Sequence, residues 1–317
     1  MTRPQTQSRR PTPATGAIAV PPSAIPSPVA VWFYAARVRT LPASVAPVVM
    51  GIALAAGDGL AHSASALAAL LGALLIQIGT NFANDYSDFA NGVDHAAAGG
   101  RRRVLPEGLV TPRQMLAATV LSFGLAVLIG LFLVARGGWP IAIVGLASIL
   151  AGVLYTGGPA PYGYRGLGEV FVLIFFGPVA VAGTYYVQAL AIDWRPIVAG
   201  LGPGFISVAI LAVNNLRDID NDRARGKRTL AVMFGRGFAR GEIVAAAGLA
   251  AALPAVFVLA GAASPALFAA SLVLPAALPT LRLVLTREDE ATLDACVGRT
   301  GKLLVLYAGL FSLGWLL

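Results

Sequence analysis

The amino-acid sequence predicts an all-α, polytopic membrane protein, and its composition, its long apolar runs and the placement of its basic residues all support this fold class. Of the 317 residues, 57% are hydrophobic and only 12% are charged, which is about half the charged share of a soluble domain. The mean hydropathy is +0.76. A helix crosses a bilayer with roughly 20 apolar residues. Nine stretches approach that length, at residues 41–57, 64–84, 113–135, 138–156, 168–191, 196–216, 241–261, 264–285 and 301–317.

The first 28 residues differ from the rest in composition. They are rich in Pro, Thr and Ser and show no helical period, which predicts a disordered tail at 1–28 followed by a single transmembrane domain at 29–317. The tail lacks the charged-then-apolar layout of a signal peptide, so we do not expect its removal. Cys296, the only cysteine, has no partner for an internal disulfide and receives no role.

The basic residues are unevenly distributed, and their placement predicts the orientation. Apart from Arg136 and Arg195, every Lys and Arg lies at the N-terminus or at the loops after the second, fourth, sixth and eighth stretches. The positive-inside rule then places the N-terminus and these loops in the cytoplasm and the C-terminus outside. The net charge of +8 therefore requires no nucleic acid, and the basic tail suits anionic membrane lipid.

The second apolar stretch ends in a polar cluster, NFANDYSDFANGVD, at residues 81–94. Residues four apart share a helix face, so Asn84 and Asp88 form a pair with Asp85 beside them. Asp94 follows Gly92, where we expect the helix to have ended.

The sixth apolar stretch ends in a similar cluster, AVNNLRDIDNDRARGKRTLAV, at residues 212–232. Asn214, Asp218 and Asp222 are spaced i, i+4, i+8 along one helix face, whereas Asp220 points elsewhere. Both clusters lie on the predicted cytoplasmic side, so both can face one central site.

The two clusters together have the composition of a metal–diphosphate site. Carboxylate and amide oxygens without His or Cys suit Mg²⁺ or Ca²⁺ rather than zinc, and Mg²⁺ commonly binds one or two carboxylates together with substrate phosphates. The alternative is that the acids are solvated helix caps and the bases positive-inside anchors. Because a charge at mid-bilayer costs about 2.5–3.5 kcal/mol on insertion scales, paired clusters favour a functional site. The second cluster also supplies basic residues for an anion, namely Arg217, Arg223, Arg225, Lys227 and Arg228.

These motifs resemble those of the UbiA superfamily of intramembrane prenyltransferases. The first, N-D-x-x-D-x-x-x-x-x-D, and the second, N-x-x-R-D-x-x-x-D, occupy Asn84, Asp85, Asp88 and Asp94, and Asn214, Arg217, Asp218 and Asp222. Within the superfamily the chain resembles the menaquinone branch, the 1,4-dihydroxy-2-naphthoate polyprenyltransferases, over residues 30–317. That narrower resemblance is carried by GKRTL (226–230), ARVRTLPAS (36–44), YTGGPAPYGYRGLGE (155–169) and GTYYVQ (183–188).

The resemblance implies about nine transmembrane helices around a central cavity with cytoplasmic caps, in a bacterial inner (plasma) membrane. It implies that Mg²⁺ binds the diphosphate of a polyprenyl donor and that 1,4-dihydroxy-2-naphthoate accepts the prenyl group with loss of CO₂. The catalytic residues would be Asp88, Asp218, Lys227 and Tyr155, with the tyrosine facing an allylic cation. The metal ligands would be Asn84, Asp85, Asp88, Asp218 and Asp222.

The resemblance also implies a set of substrate-binding residues. Asn214 and Arg217 would bind the donor with Lys227, and Arg228 is a weaker choice. Arg37 is the first choice for the acceptor carboxylate, followed by Arg39, although both also suit positive-inside anchors. Asp94 belongs to the same predicted set.

Three alternatives remain open at this point. A member of the same superfamily could act on hydroxybenzoate or homogentisate instead. A secondary transporter also shows internal repeats, but its site lies near the bilayer midplane rather than at helix ends. A CDP-alcohol phosphatidyltransferase holds a metal with aspartates, but its D-G-x-x-A-R motif is missing here.

Overall fold

The computed structural model describes residues 27–92 and 104–317, and this part of the chain is largely helical. The predicted tail up to residue 26 and the predicted site residue Asp94 lie outside the described residues. The α-helices are α1 (Pro28–Ala35), α2 (Pro42–Gly57), α3 (Ser63–Ala90), α4 (Pro112–Gly137), α5 (Trp139–Leu154), α6 (Gly168–Ile174), α7 (Ala180–Ala189), α8 (Trp194–Arg217), α9 (Ile219–Ala224), α10 (Leu230–Leu259), α11 (Val273–Thr286) and α12 (Glu290–Leu316).

The helices confirm a polytopic helical membrane protein, but they do not confirm the predicted count of nine spans. In the described part of the chain, seven helical segments are long and apolar enough to cross a bilayer, and the α1–α2 pair, bent by 55°, raises the number to eight. The remaining predicted span, residues 138–156, forms α5, which has only 16 residues. Each predicted stretch is thus helical, but length decides whether it qualifies as a full span.

The span formed by α6 and α7 is continuous but kinked. A π-helical segment, Phe175–Val179, joins them, and Gly177 inside it has non-helical φ and ψ of −117° and −112°. Pro178 follows and cannot donate a backbone hydrogen bond, which is a common cause of such kinks. Gly200 of α8 faces this kink, and a Cβ there would lie 2.6 Å from Pro178 Cα. Because Gly200 has no side chain, the backbone of α8 can contact the backbone of the kinked span directly.

Helix α8 lies at the centre of the bundle. Within its apolar window 67% of the residues are buried, compared with 22% for α4. Large side chains of α2, α8, α10 and α12 form one core around it, including Met50, Ile206, Phe257 and Tyr307. The C-terminal end of α8, which carries the second polar cluster, is consequently held in the middle of the protein.

At the end of the bundle opposite the two polar clusters, charged side chains bond to other groups of the protein. Arg195 donates to both oxygens of Asp58 at 3.0 and 2.9 Å, and the Tyr185 hydroxyl donates to Asp58 at 2.6 Å. Arg136 donates to the backbone carbonyls of Val187 and Gln188. Arg136 and Arg195, which the predicted topology places on the side with few basic residues, thus lie at the same end of the bundle. Their hydrogen bonds connect α2, α4, α7 and α8.

Candidate active site

A cavity of about 420 Å³ lies between the C-terminal ends of α3 and α8, helix α9, the start of α12 and the segment after α5. Both polar clusters reach it, because α3 and α8 end on the same side of the bundle. Ten residues that the sequence predicts for the site or for its anion line this cavity: Arg37, Asn84, Asp88, Tyr155, Asn214, Arg217, Asp218, Asp222, Arg225 and Lys227.

The first cluster is presented by the last turns of α3. Asp88 is only 6% exposed and receives a hydrogen bond from the Tyr164 hydroxyl. Its other oxygen lies 3.9 Å from Lys227 Nζ, and that nitrogen lies 4.5 Å from the centroid of the Tyr164 ring. Asp88 from the first cluster and Lys227 from the second therefore meet across the cavity, with Tyr164 contacting both.

The other two members of the first cluster face different partners. Asn84 accepts a hydrogen bond from the Thr156 hydroxyl at 2.9 Å through its amide oxygen. Asp85 is not among the cavity-lining residues and forms an ion pair with Arg37.

Arg37 is held in an uncommon backbone conformation at the edge of the cavity. Its φ of 51° lies in the left-handed region. This backbone conformation is strained for a residue with a side chain, and it is common at functional sites. The preceding residue, Ala36, accepts a hydrogen bond from the Asn81 side chain at 2.9 Å through its backbone carbonyl. Asn81 of α3 therefore fastens the α1–α2 connection beside the site.

In the second cluster, Arg217 occupies a central position. Its side chain is only 2% exposed and donates to Asp218 at 2.8 and 2.6 Å and to Asn214 at 2.6 Å. A further bond of 2.6 Å runs to Asp294 of α12. The residue predicted to pair with the diphosphate is thus bound by three side chains of the protein.

Asp222 is another acid that lines the cavity. It is buried on α9, and no ion pair of the described residues involves it. Burial raises the pKa of Asp222 to about 6, with Asp218 and Asp88 adding to the rise, while Lys227 and Arg225 oppose it. A carboxylate in this setting is stabilised by an additional cation.

The donor set suits a hard divalent cation, although the side chains are not closed around one. Among the described residues, no three acidic, His or Cys side chains converge closely enough to hold an ion. Asp85, Asp88 and Asp218 are instead near Arg37, Lys227 and Arg217. Carboxylate and amide side chains of α3, α8 and α9 nevertheless line one cavity, and such ligands fit Mg²⁺. Side-chain rotations at Asp88, Asp218 and Asp222 would be needed to gather them.

Two predicted residues lie at the periphery. The Arg39 side chain is 87% exposed and 3.8 Å from Asp294. Arg228 is exposed, and its backbone N–H donates to Tyr164 O at 2.9 Å.

The cavity also contains residues that sequence reasoning did not select, among them Thr156, Asn215, Glu290 and Asp294. Glu290 and Asp294 lie before the last predicted apolar stretch, residues 301–317, within the first two turns of α12. Nothing local in the sequence connects these turns with α8, because Asp294 and Arg217 are 77 residues apart.

Comparison with known proteins identifies the family. The UbiA prenyltransferase family matches residues 44–306. A Mycobacterium tuberculosis protein named 1,4-dihydroxy-2-naphthoate octaprenyltransferase is 46% identical over 64% of this chain and 70% of its own length. A Bacillus subtilis protein of the same name is 32% identical over 89% of this chain and 90% of its own.

Solved structures show the same fold. A UbiA homologue from Archaeoglobus fulgidus, bound to GPP and Mg²⁺, superimposes with a TM-score of 0.61 at 16% identity, covering 89% of this chain and 99% of that one. The family match over most of the chain, the relatives and the helical bundle agree with the resemblance carried by the two aspartate motifs. The chain therefore belongs to the UbiA prenyltransferase family and is a multi-pass membrane prenyltransferase.

Proposed function

We propose that this protein transfers a polyprenyl group from polyprenyl diphosphate to 1,4-dihydroxy-2-naphthoate in an Mg²⁺-dependent reaction that releases diphosphate and CO₂ and yields demethylmenaquinol. The observation that carries the proposal is the meeting of both Asn/Asp clusters and Lys227 at one cavity, at the ends of apolar helices. Such a cavity suits a donor with an apolar tail and an anionic head. The names of the relatives support the naphthoate acceptor.

The residues that would hold Mg²⁺ are Asp88, Asp218 and Asp222, with the amide oxygen of Asn84, and with Asp85 once it leaves Arg37. When bound, the metal neutralises the diphosphate oxygens and so favours departure of the leaving group. Lys227 is the basic side chain best placed to pair with the same oxygens, because its ammonium group lines the cavity next to Asp88.

Arg217 has a different part in this proposal from Lys227. Its guanidinium holds Asp218 and Asn214 in place, and its bonds to Asp218, Asn214 and Asp294 use four of its five N–H groups. We therefore propose that it chiefly aligns the second cluster, whose Asn214 borders the donor site. Arg228 is the most exposed of the proposed donor-binding residues.

The chemical step breaks the allylic C–O bond, and the bonding electrons leave with the diphosphate. The allylic carbon then bonds to the electron-rich ring, and the acceptor carboxylate departs as CO₂, returning its bonding electrons to the ring. Tyr155 lines the cavity and packs edge-on against Tyr162 at 5.4 Å. An aromatic face at this position stabilises a passing cation, and the enclosing bundle limits its access to water.

The acceptor carboxylate is proposed to bind Arg37. This arginine already pairs with the carboxylate of Asp85 at the cavity edge, and a guanidinium can bind a carboxylate through two hydrogen bonds. The acceptor and Asp85 would therefore compete for Arg37. Arg39 is the second choice, and Asp94 stays a prediction outside the described residues.

The test uses purified protein, 1,4-dihydroxy-2-naphthoate and farnesyl or geranylgeranyl diphosphate, with Mg²⁺ or with EDTA. We expect mass spectrometry to detect the prenylated, decarboxylated quinol with Mg²⁺ only. Prenylation of hydroxybenzoate or homogentisate, but not of the naphthoate, would show a different acceptor. No turnover of any acceptor by demonstrably folded protein would overturn the proposal.

We further propose that the protein resides in the bacterial inner membrane with the N-terminus and the cavity on the cytoplasmic side. The distribution of basic residues supports this orientation. In a Cys296→Ser background, Ala61→Cys and Ala224→Cys place exposed thiols at opposite ends of the bundle. A membrane-impermeant maleimide applied to intact cells should label position 61, and position 224 only after permeabilisation. The reverse pattern would contradict the orientation.

A further inference from the structure

Glu169, the second residue of α6, is a buried carboxylate without a role in the reaction described above. It is 6% exposed and takes part in no ion pair among the described residues. Its Oε1 accepts a hydrogen bond from Asn215 Nδ2 at 2.8 Å. An acid placed at the start of a membrane span without a basic partner is costly, so a function for it is expected.

Asn215 connects this acid to the cavity, since it is one of the lining residues. Because Asn215 Nδ2 donates to Glu169 Oε1, the Asn215 amide is held with its NH₂ group turned toward α6. The amide oxygen is then the end available for a ligand.

That oxygen is also unoccupied by the protein. Within the described residues no donor contacts Asn215 Oδ1, yet the atom is not one of the fully buried side-chain atoms that lack a partner. It therefore retains access to open space, and Asn215 borders the cavity.

The surroundings of Asn215 indicate what its amide oxygen would bind. Asn215 and Tyr155 line the same cavity, and Gly168, which precedes Glu169, packs against Tyr155, because a Cβ at Gly168 would lie 3.5 Å from the tyrosine ring. The amide oxygen and the Glu169 carboxylate both disfavour an anion such as diphosphate or carboxylate. An uncharged hydroxyl donor in this cavity fits them.

We propose that Asn215 Oδ1 accepts a hydrogen bond from a phenolic hydroxyl of the aromatic acceptor and that Glu169 is a positioning residue that keeps the Asn215 amide in this orientation. The inference rests on the proposed function and deepens it, since it identifies the contact that recognises the hydroxylated ring. Asn215 and Arg37 would then bind different groups of the acceptor.

The experiment compares how two isomers that each lack one hydroxyl, 1-hydroxy-2-naphthoate and 4-hydroxy-2-naphthoate, inhibit turnover of the diol. In Asn215→Ala we expect the inhibition constant of one isomer, and the KM of the diol, to rise roughly 10-fold, the size of one hydrogen bond. In Glu169→Gln, whose side chain can donate as well as accept, we expect a smaller rise in the same two constants. The other isomer, which lacks the contacted hydroxyl, should bind as it does to the unmodified protein. The KM for geranylgeranyl diphosphate should not change.

Glu288→Gln is the control, because Glu288 is an exposed carboxylate that pairs with Arg240 and does not line the cavity. It should leave the inhibition constants of both isomers unchanged. Equal weakening of both isomers, or no weakening of either, would overturn the inference. A failure of the unmodified protein to prenylate the diol would instead contradict the proposed function, so the two failures are distinguishable.

Discussion

Replacement of Asp218 by asparagine is expected to lower kcat/KM for prenyl transfer about 100-fold or more, as when a group that stabilises developing charge is removed. Asp218 lines the cavity and is aligned by two hydrogen bonds from Arg217. Asparagine keeps the shape but removes the charge that would bind Mg²⁺. The measurement is kcat/KM as a function of Mg²⁺ concentration, and we expect the half-saturating Mg²⁺ concentration to rise.

The matched control is Asp220→Asn, two residues further along the chain. The Asp220 side chain is 71% exposed and pairs with Arg223 and Arg236, and it does not line the cavity. It should keep nearly full activity. Equal losses in the two variants, or a loss at Asp218 that coincides with a collapse of thermal stability, would contradict a metal-binding role for Asp218.

Replacement of Lys227 by methionine is expected to have an effect of similar size, about 100-fold on kcat/KM for the donor. The methionine retains the long apolar stem but removes the ammonium group 3.9 Å from Asp88. Since we propose that this group neutralises the diphosphate, the loss should appear in donor kinetics and in the affinity for inorganic diphosphate.

Arg223→Met removes a cation from the same short segment, but that side chain is exposed and pairs only with Asp220 among the described ion pairs. We expect it to retain donor affinity. If Lys227→Met weakened acceptor binding and left the affinity for diphosphate unchanged, the role assigned to Lys227 would be wrong.

Several features of the site follow from local rules that the sequence already contains. The four-residue spacing of Asn84 and Asp88 predicts a shared helix face, and both residues line the cavity. The predicted stripe of Asn214, Asp218 and Asp222 is not on one helix, because α8 ends at Arg217 and Asp222 lies on the separate helix α9. Asp218 and Asp222 nevertheless line the cavity, whereas Asp220 is exposed and pairs with Arg223 and Arg236. The inference within α3 succeeds because the period of a helix depends only on the backbone within a few residues.

Other features depend on distances along the chain that no local pattern spans. Asp85 belongs to the first motif, but it pairs with Arg37, which is 48 residues away. The sequence predicts that Arg217 is available to bind the donor. The packing of α12 against α8 instead brings Asp294 within hydrogen-bond distance of it. The count of spans likewise depended on the observed helix lengths and on the bend between α1 and α2.

The sequence by itself determined the membrane class, the two polar clusters and their helix faces, because apolar run length and helical periodicity are local properties. Only the tertiary structure decided which carboxylates face the cavity and which are taken up by the protein's own basic groups. It also revealed the bond between Glu169 and Asn215, 46 residues apart. The physical reason is that an ion pair or hydrogen bond depends on the separation of two side chains in space, which is set by how the helices pack.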